Sequence, residues 1–434
     1  MLRTLSKILG VLALLSILQA APQPAEAREA AAVVPAAAAT SVTSAASTVP
    51  AAAATSDSGQ AVGLSASNNQ FAFELLQQLH KANPQENIIY SPFSVSTALS
   101  MTYAGARANT AGQMAATLHF GPNEALFHNQ FQALLTQLES GSKPYTLHLA
   151  NAVWLQHNYP LEQSYRSLLD HFYQGSFQQV DFIRATEAAR LTINHWVEDK
   201  TDREIKELLQ DNDLSPNTRL VLTNAIYFKG LWALPFEPRA TTKDTFKVTA
   251  DQKVTVDMMN QAGVFKAAAH EDGDLLELPY TGEELALVIL LPKDQPGALE
   301  KCLTNGQLQT LLDRAAPKKI EVYLPKFKAD ARYYLDQEKY LPALGMTDAF
   351  NPKAADFSGM TGYKNLFIAH VIHQAMLEVD EAGSKAAAAT AVVMNTKSAS
   401  RPQVFRVDRP FIVALYYKPA RTILFLGRIN NPAA

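Results

Sequence analysis

The chain has 434 residues, with 38 Lys plus Arg against 41 Asp plus Glu and a formal net charge of -3. That balance lacks the clustered excess of base that a nucleic-acid surface needs, so no nucleic acid is expected as a partner. A single cysteine, Cys302, excludes an intrachain disulfide, so a core large enough for one big domain or two must hold without covalent staples.

Met1, Arg3 and Lys7 precede an apolar run from Ile8 to Leu18, and Ala20 or Ala21 closes a small-residue cleavage site. The run is too short to anchor in a bilayer, so residues 1–21 are expected to be an export signal, with an uncleaved interfacial helix as the competing reading. Residues 22–66 are Ala, Pro, Ser, Thr and Val with no aromatic side chain, and Pro22, Pro24, Pro35 and Pro50 interrupt any helix. Such a segment cannot form a specific core and is expected to be a disordered linker. The folded domain is expected over 67–434, secreted to the periplasm or the medium and with no membrane partner once the signal is removed.

Asn68 or Asn69 is positioned to cap a helix through Phe71, Leu75, Leu76 and Leu79. Asn87-Ile-Ile-Tyr-Ser-Pro-Phe-Ser94 reads as a short strand and turn, followed by a helix through Ala98, Met101 and Tyr103. Further helices are expected over 124–138, 187–210 and 298–314. Strands are expected over 146–154, 220–228, 245–257, 263–269, 274–279, 285–291, 319–324, 366–380, 403–416 and 421–429. Helices dominate early and strands late, without regular alternation, which indicates an α+β chain rather than a doubly wound sheet.

Motifs for chemistry are missing. The sequence has no GxSxG elbow, HExxH, Walker-type loop or CxxC, so no enzyme, metal or cofactor is expected. His370 and His373 lie three apart in a strand pattern and point to opposite faces, a poor geometry for joint ligation. What needs explaining is the connection from Val379 to Arg401, long for a compact domain. Helix propensity is high over 385–390, but a helix there would have almost nothing to bury. In an extended conformation Ser384, Ala386, Ala388, Thr390 and Val392 share one face, all small or β-branched, while Lys385 takes the other. Such a segment can enter a sheet without a large cavity and without burying a charge.

These residues resemble the serpin family, over nearly all of 67–432. Glu381, Gly383, Ser384, Ala386, Ala387, Ala388, Ala389 and Thr390 match its hinge motif. Asn224-Ala-Ile-Tyr-Phe-Lys-Gly-Leu-Trp232 matches its central strand, Asn87 to Ser94 the entry to its second helix, and Asp408 to Val413 with Phe425 to Pro432 its C-terminal signature. The resemblance implies a fold of three β-sheets with eight or nine helices and an exposed reactive-centre loop over about 381–402. It implies that Trp232 stands where the hinge enters the central sheet, and that Ser91, Ser94, Asn224 and His373 form the polar cluster in its middle. It implies a monomeric inhibitor that traps a serine protease as a covalent acyl-enzyme by inserting its cleaved loop. Sixteen positions beyond the hinge glutamate, the reactive bond falls at Lys397–Ser398, a basic site suited to a trypsin-like target. Before cleavage Ser384 is expected near the surface. The alternative is a non-inhibitory carrier, storage or chaperone member, which the run of small residues Ala386 to Thr390, free of proline and bulky side chains, disfavours. The helix over 124–138 holds no Lys or Arg, which argues against a polyanion-regulated member.

Overall fold

The computed structural model describes residues 57–121, 124–173, 177–294, 298–384 and 401–434. The expected export signal, the linker as far as residue 56, the hinge positions Ala386, Ala387, Ala388, Ala389 and Thr390, and the bond Lys397–Ser398 lie outside the described residues.

In chain order the first half contains α1 (Asp57–Ala82), β1 (Ile88–Tyr90), α2 (Pro92–Tyr103), α3 (Ala108–Leu118), α4 (Glu124–Glu139), β2 (Tyr145–Gln156), α5 (Gln163–Phe172), β3 (Phe177–Val180), α6 (Thr186–Lys200) and β4 (Leu220–Leu231). The second half is mostly strand: β5 (Thr242–Lys247), β6 (Lys253–Ala269), β7 (Gly273–Pro279), β8 (Leu285–Pro292), β9 (Ala316–Pro325), β10 (Phe327–Tyr334), β11 (His370–Val379), β12 (Gly383–Ser384), β13 (Gln403–Arg406), β14 (Phe411–Tyr417) and β15 (Thr422–Ile429). Its α-helices are the short α7 (Ala298–Cys302), α8 (Asn305–Arg314) and α9 (Ser358–Thr361).

One sheet has the order β10-β11-β4-β2-β3, with β12 attached to β4. The other runs β1-β15-β14-β8-β7-β6-β9-β13, with β5 on β6. The 17-residue β6 joins what would otherwise be two sheets: Met258 to Ala267 pair with β9, and Lys266 to Ala269 pair with β7. The second and third expected sheets are therefore one continuous ladder.

The middle of the six-stranded sheet is covered on both faces. On one lies α6, where Ile193 and Val197 pack with Trp154, Val221, Ala225 and Ile372. On the other lies the main core, with Leu222, Ile226 and Phe228 of β4 and Phe93, Val95 and Leu99 of α2. Helix α2 is buried from Pro92 through Thr102, so its hydroxyls need internal partners. Thr97, Ser100 and Thr102 donate to the carbonyls of Phe93, Thr97 and Leu99 at 2.7, 2.6 and 2.9 Å.

Several expected boundaries are corrected. Helix α1 starts at Asp57, inside the expected linker, and Asn68 and Asn69 are buried mid-helix rather than capping. Their amides donate to the Ile423 and Arg421 carbonyls at 3.1 and 2.7 Å, tying α1 to β15. The helix expected over 187–210 ends at Lys200. Beyond it Asp202, Arg203, Glu207 and Asn212 have φ of 51°, 62°, 50° and 71°, which no helix tolerates. Ile205, Leu208 and Leu209 still reach the core, because Asn194 clamps the Leu209 backbone through two 2.8 Å bonds. The span 298–314 is two helices, with Thr304 capping the second through Gln307 N. The span 403–416 is two strands, parted just before Pro410, and 245–257 crosses the turn between β5 and β6. Helices α3 and α5 and strand β10 were not anticipated.

Candidate functional site

Two groups of residues along the six-stranded sheet carry the candidate site: the hinge end, beside β12, and a polar row across the middle.

Strands β11 and β4 run parallel and pair from His370 with Val221 to Met376 with Tyr227. Beyond Tyr227, β11 leaves β4, which runs on to Leu231 still paired with β2 on its other edge, and β12 pairs with it antiparallel, Gly383 opposite Leu231 and Ser384 opposite Gly230. The turn into β12 is built by Asp380, whose carboxylate accepts from the backbone N–H groups of Ala382 and Gly383 at 2.9 and 3.1 Å. A Cβ on Gly383 would lie 2.0 Å from the Gly230 carbonyl oxygen, and one on Gly230 would lie 2.6 Å from the Phe228 ring. Glycine at both positions lets the two strands meet.

Trp232 is buried against this turn. Its indole N–H donates to the Asp380 carbonyl at 2.9 Å, its backbone N–H donates to the Ala382 carbonyl at 3.0 Å, and its ring stacks on Tyr280 at 4.5 Å. Glu381 bonds Lys326 Nζ at 2.8 Å and accepts from the Thr241 hydroxyl at 2.8 Å. Burial works to raise the Glu381 carboxyl, but those two partners outweigh it and hold the group below the usual carboxylate range. Ser384 is fully buried, not near the surface as expected. It shares the face of Gly230 and Phe228, turned to the core, and its hydroxyl lies 2.6 Å from the Tyr280 hydroxyl. Burial pushes the Tyr280 phenol up, so it stays neutral and able to donate.

The middle of the sheet holds a single register row: Asn151 of β2 opposite Asn224 of β4, and Asn224 beside His373 of β11. All three turn toward the N-terminus of α2. There Ser91 caps the helix, accepting from Ser94 N at 3.0 Å, and donates its own N–H to His373 Nε2 at 2.9 Å. The Ser94 hydroxyl donates to Asn151 Oδ1. Burial drives the His373 imidazole down to about 3, against a weaker pull from the Asn224 backbone, so it is a neutral acceptor at physiological pH. Neither atom of the Asn224 side-chain amide has a hydrogen-bond partner among the described residues.

The structure thus brings Glu381, Gly383, Ser384 and Trp232 together at one end, and Ser91, Ser94, Asn224 and His373 in the middle. The sequence reading missed Asn151, Tyr280, Lys326 and Thr241. Asn151 carried a signal, because it shares the parity of Leu149, Val153 and Leu155, and a lone amide on an apolar strand face needs a partner. The other three gave none, since their roles arise from contacts across more than a hundred residues of chain or, for Lys326, between separate elements.

The family model for Serpin (serine protease inhibitor) matches residues 66–432. The chain is 40% identical over 379 residues to a leukocyte elastase inhibitor of Bos taurus, covering 85% of this chain and 99% of that protein. It is 39% identical over 381 residues to a serpin-like protein of Thermococcus kodakarensis, covering 86% and 87%. Among solved structures it superposes on uncleaved ovalbumin with a TM-score of 0.76 at 30% identity, covering 85% of this chain and 100% of that one. It superposes on a highly specific serpin of the insect Tenebrio molitor with a TM-score of 0.75 at 31% identity, covering 85% and 98%. With the family model matching residues 66–432 of this α+β fold and a relative 40% identical over 85% of the chain, this chain belongs to the serpin family.

Proposed function

We propose that this chain is an exported, monomeric inhibitor of trypsin-like serine proteases that works as a suicide substrate and needs no cofactor. The observation that carries the reading is the antiparallel seating of Gly383 and Ser384 on β4. The next inward positions in that register, Ala386, Ala388 and Thr390, have side chains small enough to follow Ser384 between β4 and β11. In the proposed reaction the serine hydroxyl of the protease attacks the Lys397 carbonyl carbon. The Lys397–Ser398 bond breaks, Ser398 leaves as a free amine after taking a proton, and Lys397 remains esterified to the protease. The released segment then zips into the sheet past the polar row, carrying the protease away before water attacks the ester. The leukocyte elastase inhibitors among the relatives are named as inhibitors, which favours inhibition over a carrier role.

Incubation with trypsin tests the reading directly. A denaturing gel should show a complex whose mass is the sum of trypsin and the chain without its C-terminal fragment, and mass spectrometry should find that fragment beginning at Ser398. Cleavage without a complex would make the chain a substrate rather than an inhibitor. A fragment beginning elsewhere would move the reactive bond.

A further inference from the structure

A cavity of about 380 Å³ lies away from both groups described above, between the end of α2, α4, α5 and α9. Its volume falls in the range of small-ligand sites. One wall is a stripe of α5 in which Leu168 and Phe172, one turn apart, are only half-buried. Tyr165 and Leu169 on the same apolar face of α5 are buried, whereas Leu168 and Phe172 at its edge pack only partly against the core and keep apolar surface open to the hollow. The floor is His128, buried, its Nδ1 bonded to the Tyr173 hydroxyl at 2.7 Å and its ring stacked on Phe172 at 5.5 Å.

At the rim stands Arg107, a fixed guanidinium. Its Nη1 donates to the carbonyls of Ala104 and Ala106 at 3.1 and 2.7 Å, which ties it to the end of α2. It lies flat on Gly359, where any Cβ would come within 2.4 Å of Cζ and Nη2. No carboxylate pairs with it among the described residues, and the adjacent Asp356 is taken by Lys364 at 2.7 Å and by the Ser358 hydroxyl at 2.6 Å. The carbonyls are neutral partners, so the full positive charge stays at the mouth of an apolar hollow. Held by backbone and glycine, it loses little side-chain freedom on meeting an anion.

We infer that this cavity binds an amphipathic monocarboxylate, its carboxylate on the Arg107 guanidinium and its apolar body along Leu168 and Phe172 toward His128. The inference is independent of protease inhibition. A dicarboxylate or a phosphate would fit poorly, because the charge is single and the hollow beyond it apolar.

Calorimetric titration of the full chain with decanoate, below its micellar range, tests the site, with 1-decanol as the uncharged control. The expected result is saturable one-to-one decanoate binding, with decanol weaker by about tenfold or more. Arg107→Gln should weaken decanoate by a similar factor and leave decanol unchanged, whereas Leu168→Gln should weaken both. Gly359→Ala keeps the charge but displaces the guanidinium, and should reproduce the loss seen in Arg107→Gln. The inference is overturned if decanoate does not saturate one site, or if Arg107→Gln binds it as the parent does. Should Arg107→Gln fail to fold, equal affinity of the parent for decanoate and decanol overturns it as well.

Discussion

The hinge end and the middle of the six-stranded sheet are both buried and both polar, yet they are satisfied to different degrees. At the hinge end the Trp232 N–H groups, the Glu381 carboxylate, the Asp380 carboxylate and the Ser384 and Tyr280 hydroxyls each have a partner. In the middle Ser91, Ser94 and Asn151 are partnered, but neither atom of the Asn224 side-chain amide has a partner among the described residues. A buried amide without partners costs about 1–3 kcal/mol for each group left unmade. The sheet is therefore firmly latched where β12 pairs with β4 and less firmly held in the middle, where the proposed insertion would have to part it. Such a gradient suits directed insertion. In the proposed mechanism two residues are already seated, and the barrier ahead would be lowered by a row that loses few side-chain bonds when the β4–β11 ladder opens.

The largest expected effect tests whether the sheet is waiting for a strand. Limited cleavage between Lys385 and Ser400 should raise the thermal midpoint by on the order of tens of degrees, since several buried residues and a full ladder are added. A nick in an ordinary surface loop leaves the midpoint unchanged or lowers it. Thermal melts of intact and trypsin-cleaved protein compare the two, and coincident midpoints would mean that the latch leads nowhere.

A smaller effect isolates the middle of the sheet by pH. His373 titrates near 6.5 when unfolded and near 3 when folded, so the unfolded chain binds the extra proton between those values. Stability is therefore complete above about pH 6.5 and is lost as pH falls through that window, by about 2 kcal/mol at pH 5 if the fold stays closed. Glu381 is also depressed, but its contribution is lost only below its unfolded value of 4.5, so the hinge end should be silent at pH 5. His373→Gln can still accept from Ser91 N–H. It should flatten the change in urea midpoint between pH 7.5 and pH 5, whereas Glu381→Gln should not.

How much of this was readable from sequence follows the same contrast. Strand β4 was legible because Leu220 to Phe228 is apolar nearly throughout, as a strand buried on both faces must be. The polar row followed from the family pattern except for Asn151, which sits opposite Asn224 only because of the β2–β4 register. Strand β10 escaped notice because its inward side chains include Ala329 and Ala331, whose small volume hides the alternation with Lys328, Asp330 and Arg332. The depth at which the hinge rests was not legible at all. It depends on the close approach of Gly383 to Gly230 and on the Tyr280 hydroxyl, and neither can be inferred from the hinge motif. With Ser384 already buried, Ser384→Arg would damage the intact fold as well as the proposed insertion, so that substitution cannot separate the two.

Gentler substitutions do separate the two ends of the sheet, and here the signs should oppose. Ser384→Ala keeps the small volume, removes one hydrogen bond and leaves the Tyr280 hydroxyl buried without it. The intact protein should lose about 1 kcal/mol, and more if the phenol finds no other partner. Asn224→Leu keeps the branching at Cγ and exchanges two unpartnered polar atoms for methyl groups that face Leu222, Ile226 and α2. It should gain about 1 kcal/mol, less whatever strain the extra volume brings. The kinetic consequences should also oppose. A firmer middle slows strand separation, and 1.4 kcal/mol added to that barrier slows insertion about tenfold. Asn224→Leu should then let more acyl-enzyme hydrolyse, raising the number of inhibitor molecules consumed per protease inactivated. Ser384→Ala should not, because its loss falls on the starting state. Urea melts together with stoichiometry of inhibition read both quantities. If Asn224→Leu destabilises the fold as much as Ser384→Ala does, the Asn224 amide is satisfied in solution, the two ends are equally well held, and the gradient that directs insertion does not exist.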